Sequence, residues 1–169
     1  VQISENATYF ICQNNKPIYT LRICRPNYHT FEELESEIQW LLNIDDVNIC
    51  KPISKNGEYV KKINDCYCTM YKYIDGIADV EIEGNENLYI EIGRIAGLLH
   101  KNTIEKPFNA IRPKWSMENL IGKNGLWGDW RKTTALNNPQ KDIVEKTCTK
   151  IYEKVANYKT DKYGLIHID

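Results

Sequence analysis

Two hydrophobic rhythms divide this chain, and the change between them limits the folds open to it. Up to Tyr73 apolar side chains mostly alternate, as strands require; after the stretch YIDG they recur every three or four residues, as helices require. The alternating part contains ENATYFIC and PIYTLRIC, separated by QNNK, a polar turn of the kind that joins the arms of a hairpin. The Asn-Gly turn in KNG precedes EYVKKI, and CYCTMYKY follows, which predicts a small antiparallel sheet. One helix interrupts the strands. In HTFEELESEIQWLLN, Thr30 and Glu33 form a capping box, and Phe31, Leu34, Ile38, Leu41 and Leu42 share one helical stripe.

Beyond the change of rhythm, Leu88, Ile92, Ile95, Ala96 and Leu99 predict a helix ending near His100. Asn138 before Pro139 opens another, with Ile143, Val144, Ile151 and Val155 along its face. The fold class is therefore α+β. A β-rich lobe is expected over 1–73, a connector over 74–85 and a helical lobe over 86–169.

Composition narrows the function. With 169 residues, 42% hydrophobic and 27% charged, the chain can build one good core or two small lobes. A net charge of -1 leaves no basic footprint, which argues against nucleic acid as a partner. No apolar run approaches the ~20 residues of a membrane span, and VQISENATYF lacks a secretory signal core, so a cytoplasmic location is expected. The six cysteines are read as free thiols, because a chain this rich in Ile, Leu and Tyr does not depend on staples. Cys66 and Cys68 would share a strand face like half a zinc site, but no second ligand pair stands at suitable spacing, so both are assigned to packing.

Three features carry chemistry. Arg22 lies mid-strand in IYTLRICRP, on the face of Ile18, Thr20 and Cys24, and a guanidinium there must meet water, a carboxylate or an anionic ligand. On the capped helix, Glu35 and Glu37 flank the apolar stripe on its two sides, and either reaches toward Arg22. At the end, YGLIHID sets His167 and Asp169 on one side of an extended segment, as an acid/base pair or as a structural one. Trp115, Trp127 and Trp130 crowd a polar stretch; they either line a pocket for a cationic substrate or, more ordinarily, pack an irregular insertion onto helices.

The order strand cation, helix glutamate, connector, helical lobe and His-x-Asp is that of the protein-kinase architecture. The chain resembles the aminoglycoside phosphotransferase and homoserine-kinase-type family through SENATYF, YTLRICRP, EELESEIQWL, MYKYIDG, EIGRIAGLLH, RPKW with LWGDW, and YGLIHID. These stretches span almost the whole sequence. The resemblance implies a protein-kinase-like two-lobe fold, with an antiparallel sheet and one helix in the first lobe and only the first part of the helical lobe present. It also implies transfer of the γ-phosphate of ATP or GTP to a small-molecule hydroxyl. The alternatives are a Ser/Thr protein kinase of the same family and a non-catalytic nucleotide-binding module.

By the same resemblance, Arg22 stands where the family has a phosphate-holding lysine, a departure because a planar fork differs from a point charge. Glu37 becomes its partner, being at the family's spacing before ICKPI. Ser4, Glu5 and Asn6 form the turn over the phosphates. The backbone of Tyr71 and Tyr73 meets the purine edge, with Met70 near the inner wall. Asp169 takes the acceptor's proton while His167 braces the loop, and magnesium ligands are expected beyond residue 169, so that the chain reads as incomplete at both ends.

Overall fold

The computed structural model describes residues 2–3, 6–76, 84 and 86–158, the first two by their backbone. Five antiparallel strands, β1 (Gln2–Ile3), β2 (Asn6–Gln13), β3 (Lys16–Cys24), β4 (Val60–Ile63) and β5 (Cys66–Lys72), form one sheet in the order β1-β2-β3-β5-β4. The two-residue β1 was not expected; so short a strand has no alternation to read. The turns set the register. Asn14 and Asn15, at φ 51° and 62°, make the left-handed pair that matches the twist of the strands they join, and Asn56 with Gly57 repeats it at 56° and 82°. Across β3 and β5 this register sets Arg22 opposite Thr69 and Thr20 opposite Tyr71.

Helix α1 (Phe31–Leu42) starts where its capping box requires. The Thr30 hydroxyl accepts from the Glu33 amide, and the Glu33 carboxylate accepts from the Thr30 amide, both at 3.2 Å. The helix buries two faces. Leu34 and Ile38 join Cys24, Val60 and Tyr71 in a core against the sheet, while Trp40 joins Ile44 and Leu99 in a second core shared with α2 (Glu86–Glu105). Phe31 departs from the predicted stripe: at the first turn it stays 42% exposed, its ring 6.1 Å from that of Tyr67.

Helix α2 ends at Glu105 rather than near His100. Its extra turn is pinned to the end of α1. Buried Asn102 donates Nδ2 to the Asn43 carbonyl at 3.2 Å, which also accepts from Lys106 Nζ, and Lys51 Nζ donates to the carbonyls of Leu41 and Ile44. Helix α1 has no basic residue in its last turn, and these donors from elsewhere in the chain bind carbonyls at and just beyond its end. Earlier in α2, Ile92 is exposed, contrary to its predicted place on the packed face.

The described residues fall into two compact units, one up to Arg112 and one from Pro113 onward. The second contains α3 (Met117–Ile121), a 3-10 turn (Trp130–Lys132) and α4 (Asn138–Ala156). The cap of α4 is Asn137, not Asn138, and it exchanges hydrogen bonds with Gln140. Its packed face carries Val144, Cys148 and Tyr152, whereas Ile143, Ile151 and Val155 are exposed. Polar anchors turn the helix that way: Arg131 pairs with Glu145, Lys141 Nζ donates to the Arg131 carbonyl, and the Tyr152 hydroxyl donates to Glu118. Trp130 is half-buried under the Arg131 guanidinium, but Trp115 and Trp127 stack edge to face at 5.6 Å and are each more than half exposed, so packing accounts for only one of the three. All six cysteines are free thiols. Among the described residues no helix is long and apolar enough to cross a membrane.

Candidate functional site

Arg22 leaves the middle of β3 on the face covered by α1, where an unaccompanied guanidinium would be costly. Its neighbours meet that demand. Nη2 lies 2.7 Å from Oε1 of Glu37, an ion pair without the alignment of a hydrogen bond. Nε donates to Thr69 Oγ1 at 3.2 Å, and Cζ stands 5.4 Å from the centroid of the Tyr71 ring. Of the two glutamates that flank the helical stripe, the fold thus gives Glu37 to Arg22. The other oxygen of Glu37 faces Arg112, with Nη1 3.4 Å from Oε2.

Charge and burial oppose each other here. Burial acts against the charged form of Arg22, but Tyr71 and Glu37 beside it outweigh that, and the group titrates above its ordinary value. Burial also pushes the Tyr71 phenol up to about 12, with Arg22 opposing and Glu37 adding. Arg22 and Glu37 lie on the wall of a cavity of about 500 Å³, bounded further by Thr20 of β3, Tyr71 of β5, Ile74 just beyond it, and Trp40, Leu41 and Leu99 of the helices. A cation on one wall and mainly apolar, aromatic surface on the others suit a ligand with an anionic tail and a flat apolar head.

The remaining expected site residues divide three ways. Asn6 opens β2 opposite Cys24, and its buried Oδ1 has no hydrogen-bond partner among the described residues. Ser4, Glu5, His167 and Asp169 lie outside the described residues. Around the expected hinge, the structure shows which groups pair within the sheet and which face the cavity. The Tyr73 amide donates to the Ile18 carbonyl at 3.1 Å, so it is committed to the sheet, and its ring packs edge-on against Phe10. Met70 does not line the cavity, because alternation along β5 turns it to the face opposite Tyr71. Tyr71, two residues from Tyr73, does line the cavity.

Sequence reasoning did not single out Thr69, Trp40 or Arg112. Thr69 and Tyr71 share a strand face by alternation, but only the β3–β5 register shows that Arg22 stands opposite. Trp40 lies off the predicted stripe, on the second buried face of α1. Arg112 opens RPKW, where no local pattern marks it as an ion-pair partner.

No family model matches the chain. Among curated proteins it is 24% identical over 183 residues to amicoumacin kinase of Bacillus subtilis (strain 168), covering 98% of this chain and 50% of that protein. Among solved structures it matches an amicoumacin kinase in complex with AMP-PNP, Ca2+ and Ami, at a TM-score of 0.67 and 18% identity, covering 98% of this chain and 51% of that one. The chain thus spans about half the length of the relatives it matches. Its fold is kinase-like, an α+β arrangement with an antiparallel sheet and part of a helical lobe. The homology is consistent with the aminoglycoside phosphotransferase-like, kinase-like family that the sequence resembles.

Proposed function

We propose that this relative of the aminoglycoside phosphotransferase-like kinases transfers the γ-phosphate of ATP or GTP to a hydroxyl group of a small molecule. The observation that carries the reading is the Arg22–Glu37 ion pair on the wall of a cavity otherwise mainly apolar and aromatic. In this reading residues 1–73 form the nucleotide-binding lobe, 74–85 the connector and 86–169 the first part of the helical lobe, in a cytoplasmic enzyme.

Arg22 holds the phosphates, and Glu37 with Thr69 fixes the direction of its fork. Tyr71 and Ile74 flank the base, and Ser4, Glu5 and Asn6 form the turn over the phosphates. Asp169 takes the acceptor's hydroxyl proton as the oxygen bonds to the γ-phosphorus and the bond to the bridging oxygen breaks, releasing the nucleoside diphosphate; His167 braces the loop. Magnesium, when bound, neutralises charge on the transferred group. Among the described residues no group of three or more His, Cys, Asp or Glu side chains stands ready for a metal, so none of them is assigned to it.

The test is turnover by the natural full-length protein with ATP or GTP and a panel of hydroxyl-bearing metabolites and antibiotics, amicoumacin among them. Asp169→Asn is expected to lower the rate by roughly 10²- to 10⁴-fold, the usual loss for a positioned base. Undiminished turnover refutes the assignment, and labelled phosphate on polypeptide instead of a small molecule makes the protein a Ser/Thr kinase.

A further inference from the structure

Glu37 carries one negative charge and faces two guanidiniums. The neighbouring residues explain why the second is there. After α2 the chain runs back along α1, and the amide of Ile111 donates to the Ser36 hydroxyl at 2.8 Å. The next residue of each segment then meets its counterpart: Arg112 Nη1 lies 3.4 Å from Glu37 Oε2. Ser36 is 9% exposed, so this anchor is internal, and the side chains of Arg22, Glu37 and Arg112 are each less than a third exposed. Arg112 is not among the residues that line the cavity.

A carboxylate beside a polyphosphate site poses an electrostatic problem. Glu37 must hold Arg22 in place, yet once Arg22 turns its remaining donors to a phosphate, an undercompensated carboxylate would repel that same anion. We propose that Arg112 is a positioning residue of the nucleotide site: it holds the second oxygen of Glu37 and neutralises it, so that Arg22 is free to serve the phosphates. The inference rests on the nucleotide reading above and extends it to a residue outside the cavity lining. It predicts a phosphate-specific effect, because adenosine has no charge for Glu37 to repel.

The experiment titrates ATP and, separately, adenosine into the natural full-length protein, Arg112→Gln and Arg112→Lys at low salt. Arg112→Gln is expected to weaken ATP roughly fivefold, the upper range for a partly exposed pair, and adenosine less than twofold, with Arg112→Lys recovering most of the ATP loss. Unchanged ATP affinity in Arg112→Gln overturns the proposal, as does equal weakening of ATP and adenosine, which marks a merely structural role. If the unmodified protein binds no ATP at all, the nucleotide reading itself fails and the role of Arg112 falls with it. A double-mutant cycle of Arg112→Gln with Glu37→Gln in urea unfolding checks the contact independently of any ligand, and zero coupling overturns the proposal.

Discussion

An arginine where the kinase architecture has lysine changes what the strand cation can do. Its fork holds Glu37 through Nη2 and Thr69 through Nε while its face lies against Tyr71, a set of contacts no ammonium group reproduces. Tyr71 lends itself to a test by pH. Its phenol is neutral in the fold and titrates only at about 12, against 10 ordinarily, so the folded chain holds this proton more tightly than the unfolded chain does. Its contribution to stability is complete below pH 10 and is lost as pH rises through about 12. Urea midpoints should fall across that window, and Tyr71→Phe should flatten the fall; an equal fall in both proteins would assign it to other groups. At this scale the sequence showed that Arg22 must meet water, a carboxylate or an anionic ligand. Periodicity did not show which glutamate answered, because Glu35 and Glu37 flank the stripe alike; the family resemblance pointed to Glu37, and the packing of α1 on β3 pairs it with Arg22.

Helix α1 is the element on which the site depends, since one of its faces meets the sheet and the other meets α2. Thr30→Ala, which removes the capping hydroxyl, should cost about 1 kcal/mol, and Leu34→Ala, which empties a fully buried position, about 3 kcal/mol, both read from urea unfolding. A Leu34→Ala loss below that of Thr30→Ala would contradict the helix-on-sheet core. This helix was legible because its start is encoded locally, in Thr30 and Glu33, and its stripe is regular. The ends and faces of the later helices were less so. The end of α2 depends on Asn102 and Lys106 meeting Asn43, and the packed face of α4 on Arg131 meeting Glu145, contacts between residues that no local periodicity contains. Along β5, alternation alone gives two faces, and the β3 pairing decides that Tyr71, not Met70, is the one that walls the cavity.

For the whole molecule, the order of its parts was more legible than any part. Strand cation, helix glutamate, connector and helices each have ordinary explanations, yet their sequence along the chain matches a kinase-like fold, and the 0.67 TM-score to an amicoumacin kinase agrees with it. What order does not encode is the cavity, which forms only when β3, β5, α1 and α2 close on one another. The central claim is that this cavity holds a nucleotide by its phosphates through Arg22. Calorimetric titration of ATP into the natural full-length protein and into Arg22→Ala tests it most directly. The account predicts an affinity loss of about tenfold or more for ATP, the scale of a lost charge-assisted contact, with adenosine affected little; equal ATP affinity in a folded Arg22→Ala protein would contradict it.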